Sequence, residues 1–339
     1  MSQVESERYK DNQPLVSVVM PVYNCERFVG EAIGSILNQT YKNFEFIIVN
    51  DGSTDHSEKI ILSFSDKRIK YIKNQENAGP SFATNRGLSL AKGKYIAGAD
   101  SDDIYKPERL QKQLDYMENN QNVDILSSGY EAFGSENFVL SQTYNNNQIR
   151  SFFLWSMLIP NPCFVIRRSL LLKHNLRFDE SILASQDYEF WERISYITEA
   201  HFHMTNEILF KYRVHKNSIS FKRNSIAQKT IGIVRERQLK RLLGDSCRPS
   251  DLHDLELTYS GKINSFKEIK SSLLFLKTIR TANRKKQMYD SPEFNKHIKS
   301  KYMMVCKRGV YISRIGSLKI HELVLLPFIF GKYFMSLGV

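Results

Sequence analysis

Residues 15–55 read LVSVVMPVYNCERFVGEAIGSILNQTYKNFEFIIVNDGSTD. Two short runs rich in β-branched residues, Leu15–Met20 and Phe44–Val49, have the continuous apolar character of strands buried on both faces. Between them, Arg27–Asn38 places Phe28, Ala32, Ile36 and Leu37 on one helical face. The pattern then repeats downstream. His56–Ser65 reads as a helix with Thr54 or Asp55 as N-cap, and Ile69–Lys73 as a third strand. Ser81–Ala91 reads as a helix with Phe82, Leu88 and Ala91 inward, and Lys94–Ala99 as a fourth strand. Pro107 sits where a first-turn proline belongs and opens a helix to about Glu118. Strand and helix alternating through short connections predict an open α/β sheet. Further strands are expected at Val123–Ser128, Asn161–Ile166 and Asn206–Tyr212, with a helix at Gln186–Thr198. From Arg223 onward only helical periodicity and polar turns remain.

The 339 residues divide accordingly into a polar tail (1–14), an α/β domain (15–222) and a helical C-terminal region (223–339). Charge follows the same division. Residues 1–222 hold 25 basic and 27 acidic side chains, and residues 223–339 hold 23 and 9, so the formal net charge of +12 is all C-terminal. A uniformly basic nucleic-acid binder is thereby disfavoured, and no recognised nucleic-acid module appears. No apolar run reaches the roughly 20 residues needed to span a bilayer. The longest, Leu323–Phe330, is broken by Pro327. The N-terminal stretch lacks the apolar core of a signal peptide, so a cytoplasmic location is expected. Cys25, Cys163, Cys247 and Cys306 are scattered, which suits buried or incidental thiols better than disulfides or a zinc site.

In open α/β sheets ligands bind beyond the carboxyl ends of the strands. Those positions carry Pro21-Val22-Tyr23-Asn24, Asn50-Asp51-Gly52-Ser53-Thr54-Asp55, Asn77-Ala78-Gly79-Pro80 and Asp100-Ser101-Asp102-Asp103. In an extended segment Asp100 and Asp102 point the same way, so their carboxylates converge and repel. A hard divalent cation, Mg²⁺ or Mn²⁺, would relieve that repulsion. A solvated acidic turn ahead of the helix at Pro107 is the plainer alternative. Asp51 is either a turn residue or an acceptor for a base N–H. Neither a P-loop nor a G-x-G-x-x-G motif occurs. His201 and His203 alternate in a possible strand, as a surface pair would.

Together the blocks VSVVMPVYN (16–24), SILNQTY (35–41), FIIVNDGSTD (46–55), NAGPSFATNRGLSLAKGKYIAGADSDD (77–103) and QDYEFWERI (186–194) resemble the family 2 glycosyltransferases of GT-A fold. The resemblance covers about residues 15–220. It implies a Rossmann-like, mixed but mostly parallel sheet, and inverting transfer from a nucleoside-diphosphate sugar, most often UDP-linked. It implies that Pro21, Tyr23, Asn24 and Glu26 line the nucleotide pocket and that Asp51 meets the base. Asn77, Gly79 and Asn85 would lie near the nucleotide or sugar, with Asp100 and Ser101 beside the donor. Asp102 matches the metal-ligand aspartate and Asp187 the catalytic base. In YRVHKNSIS (212–220), His215 would reach the pyrophosphate or metal. Gln186 replaces the usual glutamate before the base, and Thr84 stands where arginine is common.

The basic C-terminal region interleaves lysine with apolar residues, as in FKEIKSSLLFLKTI (266–279) and KYMMVCKRGVYISRI (301–315). In the first, Phe266, Ile269, Leu273, Leu274 and Leu276 are expected inward. Such helices pack as a lid, lie on an anionic membrane, or do both. The expected acceptor is a saccharide or lipid-linked saccharide of surface-polysaccharide synthesis, met at the inner face of the cell membrane. Two rivals remain at this level: a sugar-nucleotide nucleotidyltransferase, and a non-catalytic nucleotide-sugar-binding protein.

Overall fold

The computed structural model describes residues 15–216, 218 and 224–314. The polar tail, the Leu323–Phe330 run and most of the stretch after His215 therefore lie outside the described residues. In chain order the elements are β1 (Val16–Val22), α1 (Val29–Leu37), β2 (Phe44–Asn50), α2 (Ser57–Leu62), β3 (Ile69–Lys73), α3 (Pro80–Leu90) and β4 (Tyr95–Gly98). Next come β5 (Ile104–Tyr105), α4 (Arg109–Asn119), β6 (Ile125–Gly134), β7 (Phe138–Leu140), α5 (Asn146–Phe152), β8 (Val165–Arg167) and α6 (Arg168–Lys173). Then follow α7 (Gln186–Ile197), β9 (Phe202–Val214), α8 (Asn224–Leu243), α9 (Pro249–Ser260), α10 (Phe266–Lys286) and α11 (Ser291–Arg314).

The nine strands form one mixed sheet in the order β3-β2-β1-β4-β8-β6-β9-β5, with β7 on β6. The β3-β2-β1-β4 part is entirely parallel, with Val16 opposite both Phe44 and Tyr95. β8 then enters antiparallel beside β4. Strand order reverses at β1, so a crevice opens between the loops that follow β1 and β4. Both β1 and β2 are buried on both faces, as their continuous apolar runs require. Val18, Met20, Phe46 and Ile48 meet Ala32, Ile33 and Ile36 of α1 and Leu110, Leu114 and Met117 of α4 in one core.

Two compact units result. Among the described residues, one comprises those up to 146 together with those between 159 and 230, and the other 147–158 together with those from 231 to 314. The second has its own core, where Leu154 and Trp155 join Leu242, Leu255, Leu273, Leu276, Phe294 and Ile298. Segment 147–158 is separated in sequence from these helices, and no local pattern placed it with them.

Several expectations shift. Asn161–Ile166 begins as a 3₁₀ turn (Asn161–Cys163) and becomes strand only at Val165, because Pro162 cannot donate to a ladder. β9 is much longer than Asn206–Tyr212 suggested. Leu274 lies exposed, and Phe275 is the residue buried in its place. The α10 core stripe follows Ile269, Leu273, Leu276 and Ile279, with Phe275 filling a second line of contact.

Candidate active site

The site begins with two loops tied together. Asn24, in the left-handed region at φ 46°, accepts the Thr54 N–H on its side-chain oxygen at 2.8 Å. Its own N–H goes to Ser53 Oγ at 3.0 Å. Glu26 accepts the His56 main-chain N–H at 2.9 Å and meets the His56 ring at 2.9 Å. Those contacts, the main-chain N–H first, hold its carboxyl below the usual range. The Cys25 thiol donates to the Ser101 carbonyl at 3.3 Å, and burial pushes it up to about 12. Loops after β1, β2 and β4 thus share one rim. Pro21 is half-buried within β1, while Tyr23 and Asn77 are exposed on the rim.

Asp51 is buried. It accepts the Asn74 amide at 2.6 Å and the N–H groups of Ala78 and Gly79 at 3.1 and 2.8 Å. This carboxylate fixes the 74–79 loop, which ends in Gly79 at φ 97°, a conformation that favours glycine. Gly52 allows the same loop to approach. A Cβ there would stand 2.6 Å from the Glu76 carbonyl carbon. Asn85 is also committed inside the protein. Its amide N–H₂ reaches the Phe178 carbonyl and Glu180, and its oxygen takes the Phe178 N–H. Asn85 thereby holds the 178–180 segment against α3. Thr84 bonds back to the Pro80 carbonyl within α3.

Beyond β4, Asp100, Asp102 and Asp103 bring one carboxylate oxygen each within 4.8 Å of one another. Burial, then the neighbouring Asp102 and Asp187 charges, push Asp100 up to about 8. Burial and the other two aspartates raise Asp103 as well. His215 Nε2 lies 2.9 Å from Asp102 Oδ2. Among the described residues, Asp103 Oδ2, His215 Nδ1 and Asn161 Oδ1 around this cluster are buried without a partner. Asn161, whose amide nitrogen is 3.4 Å from Asp100, escaped the sequence reading because nothing local marks it. His201 and His203 do not join the cluster. His201 is exposed, and His203 stacks on Tyr116.

Asp187 stands in the first turn of α7, behind Ser185 at φ 54°. Its Oδ1 takes the Tyr188 N–H at 2.9 Å. Removal from water raises it to about 6, although that N–H favours the ion. Asp187 is thus a carboxylate of raised pKa within electrostatic reach of the acidic cluster.

Residues 17–174 match the family described as Glycosyl transferase family 2. An uncharacterized glycosyltransferase of Methanocaldococcus jannaschii is 40% identical over 211 residues, covering 60% of this chain and 72% of its own length. The chain belongs to the family 2 glycosyltransferases. An uncharacterized glycosyltransferase of Haemophilus influenzae is 36% identical over 228 residues, covering 62% of this chain and 68% of its own. Among solved structures, S. aureus TarS in complex with UDP-GlcNAc superposes with TM-score 0.60 at 18% identity, over 90% of this chain and 93% of that one. Mannosyltransferase PcManGT from Pyrobaculum calidifontis, in complex with GDP-Man and Mn²⁺, gives 0.55 at 14% identity, over 97% and 87%. These two likenesses establish the GT-A fold. This chain is a glycosyltransferase of that fold.

The Asp187 environment has a measurable cost. Its folded pKa lies above that of an unfolded aspartate, so the folded state binds the proton more tightly and loses stability as pH rises from about 4 through 6. Asp187→Asn should therefore raise the thermal midpoint at pH 8, with the gain shrinking as pH falls towards 4. A midpoint lowered at pH 8 would show that the carboxylate stabilises the fold.

Proposed function

We propose that this glycosyltransferase inverts the anomeric carbon of a nucleoside-diphosphate sugar, UDP-linked, in transfer to a hydroxyl of a saccharide or lipid-linked saccharide. The observation that carries the reading is that Asp187, raised to about 6 by burial, lies close enough to the Asp100–Asp102–Asp103 cluster for its charge to raise Asp100. Direct displacement needs a base on one face of the sugar and stabilisation of the leaving group on the other. A carboxylate with a pKa near 6 is ionised at neutral pH and still basic enough to take a hydroxyl proton. Asp187 receives that proton. Gln186 beside it is neutral, so the base works without the neighbouring carboxylate usual in the family.

The acidic cluster suits a divalent cation. Three carboxylates crowd together, and among the described residues Asp103 Oδ2 and His215 Nδ1 lack partners. Oxygen donors with one imidazole fit Mn²⁺ or Mg²⁺. Asp102 and His215 would hold the ion, with Asp100 alongside. A bound cation would neutralise charge growing on the departing diphosphate. Tyr23, Asn24 and Asn77 on the rim, with Pro21, Glu26 and the Asp51-moored Gly79 loop, would frame the nucleotide. Ser101 would lie beside the donor.

The place of action is the inner face of the cell membrane, in surface-polysaccharide synthesis. Supporting this, the solvent face of α10 presents Lys267, Lys270, Leu274, Lys277 and Arg284, an exposed leucine among cations. Glu268, the one acid of α10, instead caps the helix start with Ser265. No helix among the described residues is long and apolar enough to cross a membrane.

Asp102→Ala should nearly abolish transfer and weaken Mn²⁺-dependent donor binding while the protein still folds. Asp187→Asn should lower turnover by about 10²–10⁴-fold with donor affinity little changed. In the parent, turnover should fall on the acid side of about pH 6 as Asp187 protonates. Undiminished transfer in excess chelator would remove the metal assignment, and a collapse of donor binding in Asp187→Asn would make that residue part of the donor site.

Binding to phosphatidylserine vesicles should be strong at low salt and fade as salt screens the lysines. Changing Lys267, Lys270 and Lys277 to Glu should reduce it while leaving donor hydrolysis intact. Equal binding by the triple variant would show that these lysines only solvate the helix.

A further inference from the structure

Arg213, at the end of β9, touches nearly every part that surrounds the acidic turn. Its main-chain N–H donates to Asp103 Oδ1 at 2.8 Å. Its Nε–H donates to the Asp102 carbonyl oxygen at 2.8 Å. Its Nη2 donates to the Glu31 carboxylate on α1. The guanidinium lies between two rings, 4.6 Å from the Phe28 centroid and 4.5 Å from that of Phe133. Phe28 in turn packs against the His215 ring at 4.8 Å. The side chain is 16% exposed, whereas its Glu31 partner is 56% exposed.

We propose that Arg213 is the positioning residue of this site, clamping the Asp102–Asp103 turn to the end of β9 and so setting the separation of His215 from Asp102. The reasoning is geometric. Asp102 and His215 are 113 residues apart in sequence, and their 2.9 Å contact needs the two segments held in fixed register. Arg213 grips consecutive residues of the turn with two different donors, and His215 follows two residues later. Phe28 packs against the guanidinium and against the imidazole, so both are also fixed by one ring. The fork of the guanidinium matters here as well as its charge. A lysine supplies the same charge but cannot reproduce the planar fork that bonds the Asp102 carbonyl and Glu31 while its central carbon stays within reach of both rings. The proposal rests on the reading of Asp102 and His215 as the groups on the diphosphate side, and it adds what keeps them together.

The test compares Arg213→Lys, Arg213→Met and Glu31→Gln with Asp102→Asn and His215→Asn. Histidine ring signals are followed by ¹⁵N NMR without metal, His215 being assigned from its absence in His215→Asn. Binding of UDP with Mn²⁺ is measured by calorimetry, and turnover by donor hydrolysis. In Arg213→Lys the His215 signals should move towards their position in Asp102→Asn. Affinity for UDP with Mn²⁺ should fall about tenfold, turnover should fall more than donor KM rises, and the melting temperature should change little. Glu31→Gln should be mild, since an exposed ion pair contributes little. Unchanged His215 signals with parental affinity in Arg213→Lys would overturn the proposal. So would a full recovery by lysine of losses seen in Arg213→Met, because charge alone would then suffice. If Asp102→Asn and His215→Asn bind UDP with Mn²⁺ like the parent while Arg213→Lys shifts the His215 signals, the clamp stands and the diphosphate-side reading fails.

Discussion

Like charges forced together at the end of β4 are the constraint on which the site depends. Asp100, Asp102 and Asp103 converge within 4.8 Å in a partly buried turn, where burial and mutual repulsion raise two of them. A chain does not keep such a cluster without compensation. Some comes from within. Arg109, fully buried, donates to the Gly98 carbonyl at 2.7 Å and lowers Asp100 by its charge. Arg213 lowers Asp103 through its main-chain N–H and its charge. The remaining repulsion is what the proposed cation would relieve.

The rest of the first unit serves that place. The parallel strands deliver four loops to one edge, and the reversal of strand order at β1 parts them into a crevice. Hydrogen bonds between loops then set its shape: Asn24 with the 53–54 turn, Asp51 with the 74–79 loop, and Cys25 with Ser101. Asp187 arrives from a different part of the chain, on a helix whose Phe190, Trp191 and Ile194 are buried. Burial of those side chains fixes where the carboxylate stands and keeps water from lowering its pKa.

The first, second and fourth strands and the helix after the first were readable in the sequence as continuous apolar runs and a one-sided helix, whereas α3 buries Ser81, Ala83, Asn85 and Gly87 and leaves Phe82 and Leu88, expected inward, half-buried. The loop residues at their carboxyl ends were readable for the same reason, since topology alone places them together. What local pattern could not reveal were partnerships across long stretches of chain. Nothing near Asn161 or Arg213 indicates that one faces Asp100 and the other holds the turn two residues beyond it. Asn85 shows the reverse case. Its position matches the family, but its amide is used by Phe178 and Glu180, a contact over more than 90 residues that only the folded chain discloses. Leu274 and Phe275 exchanged places because two adjacent apolar residues on a helix cannot be ranked by periodicity once the helix is packed on two sides.

In the proposed direct displacement the base and the leaving group stand on opposite faces of one sugar ring. This displacement is tested most directly by the stereochemistry of slow donor hydrolysis, which needs no knowledge of the natural acceptor. The UDP-sugar that most raises the melting temperature in the presence of Mn²⁺ would be incubated with the enzyme and followed by proton NMR. The anomeric signal would be read before mutarotation. An α-linked donor should release the β-sugar first. Release of the α-anomer first would mean retention, and would contradict a single displacement with Asp187 as base.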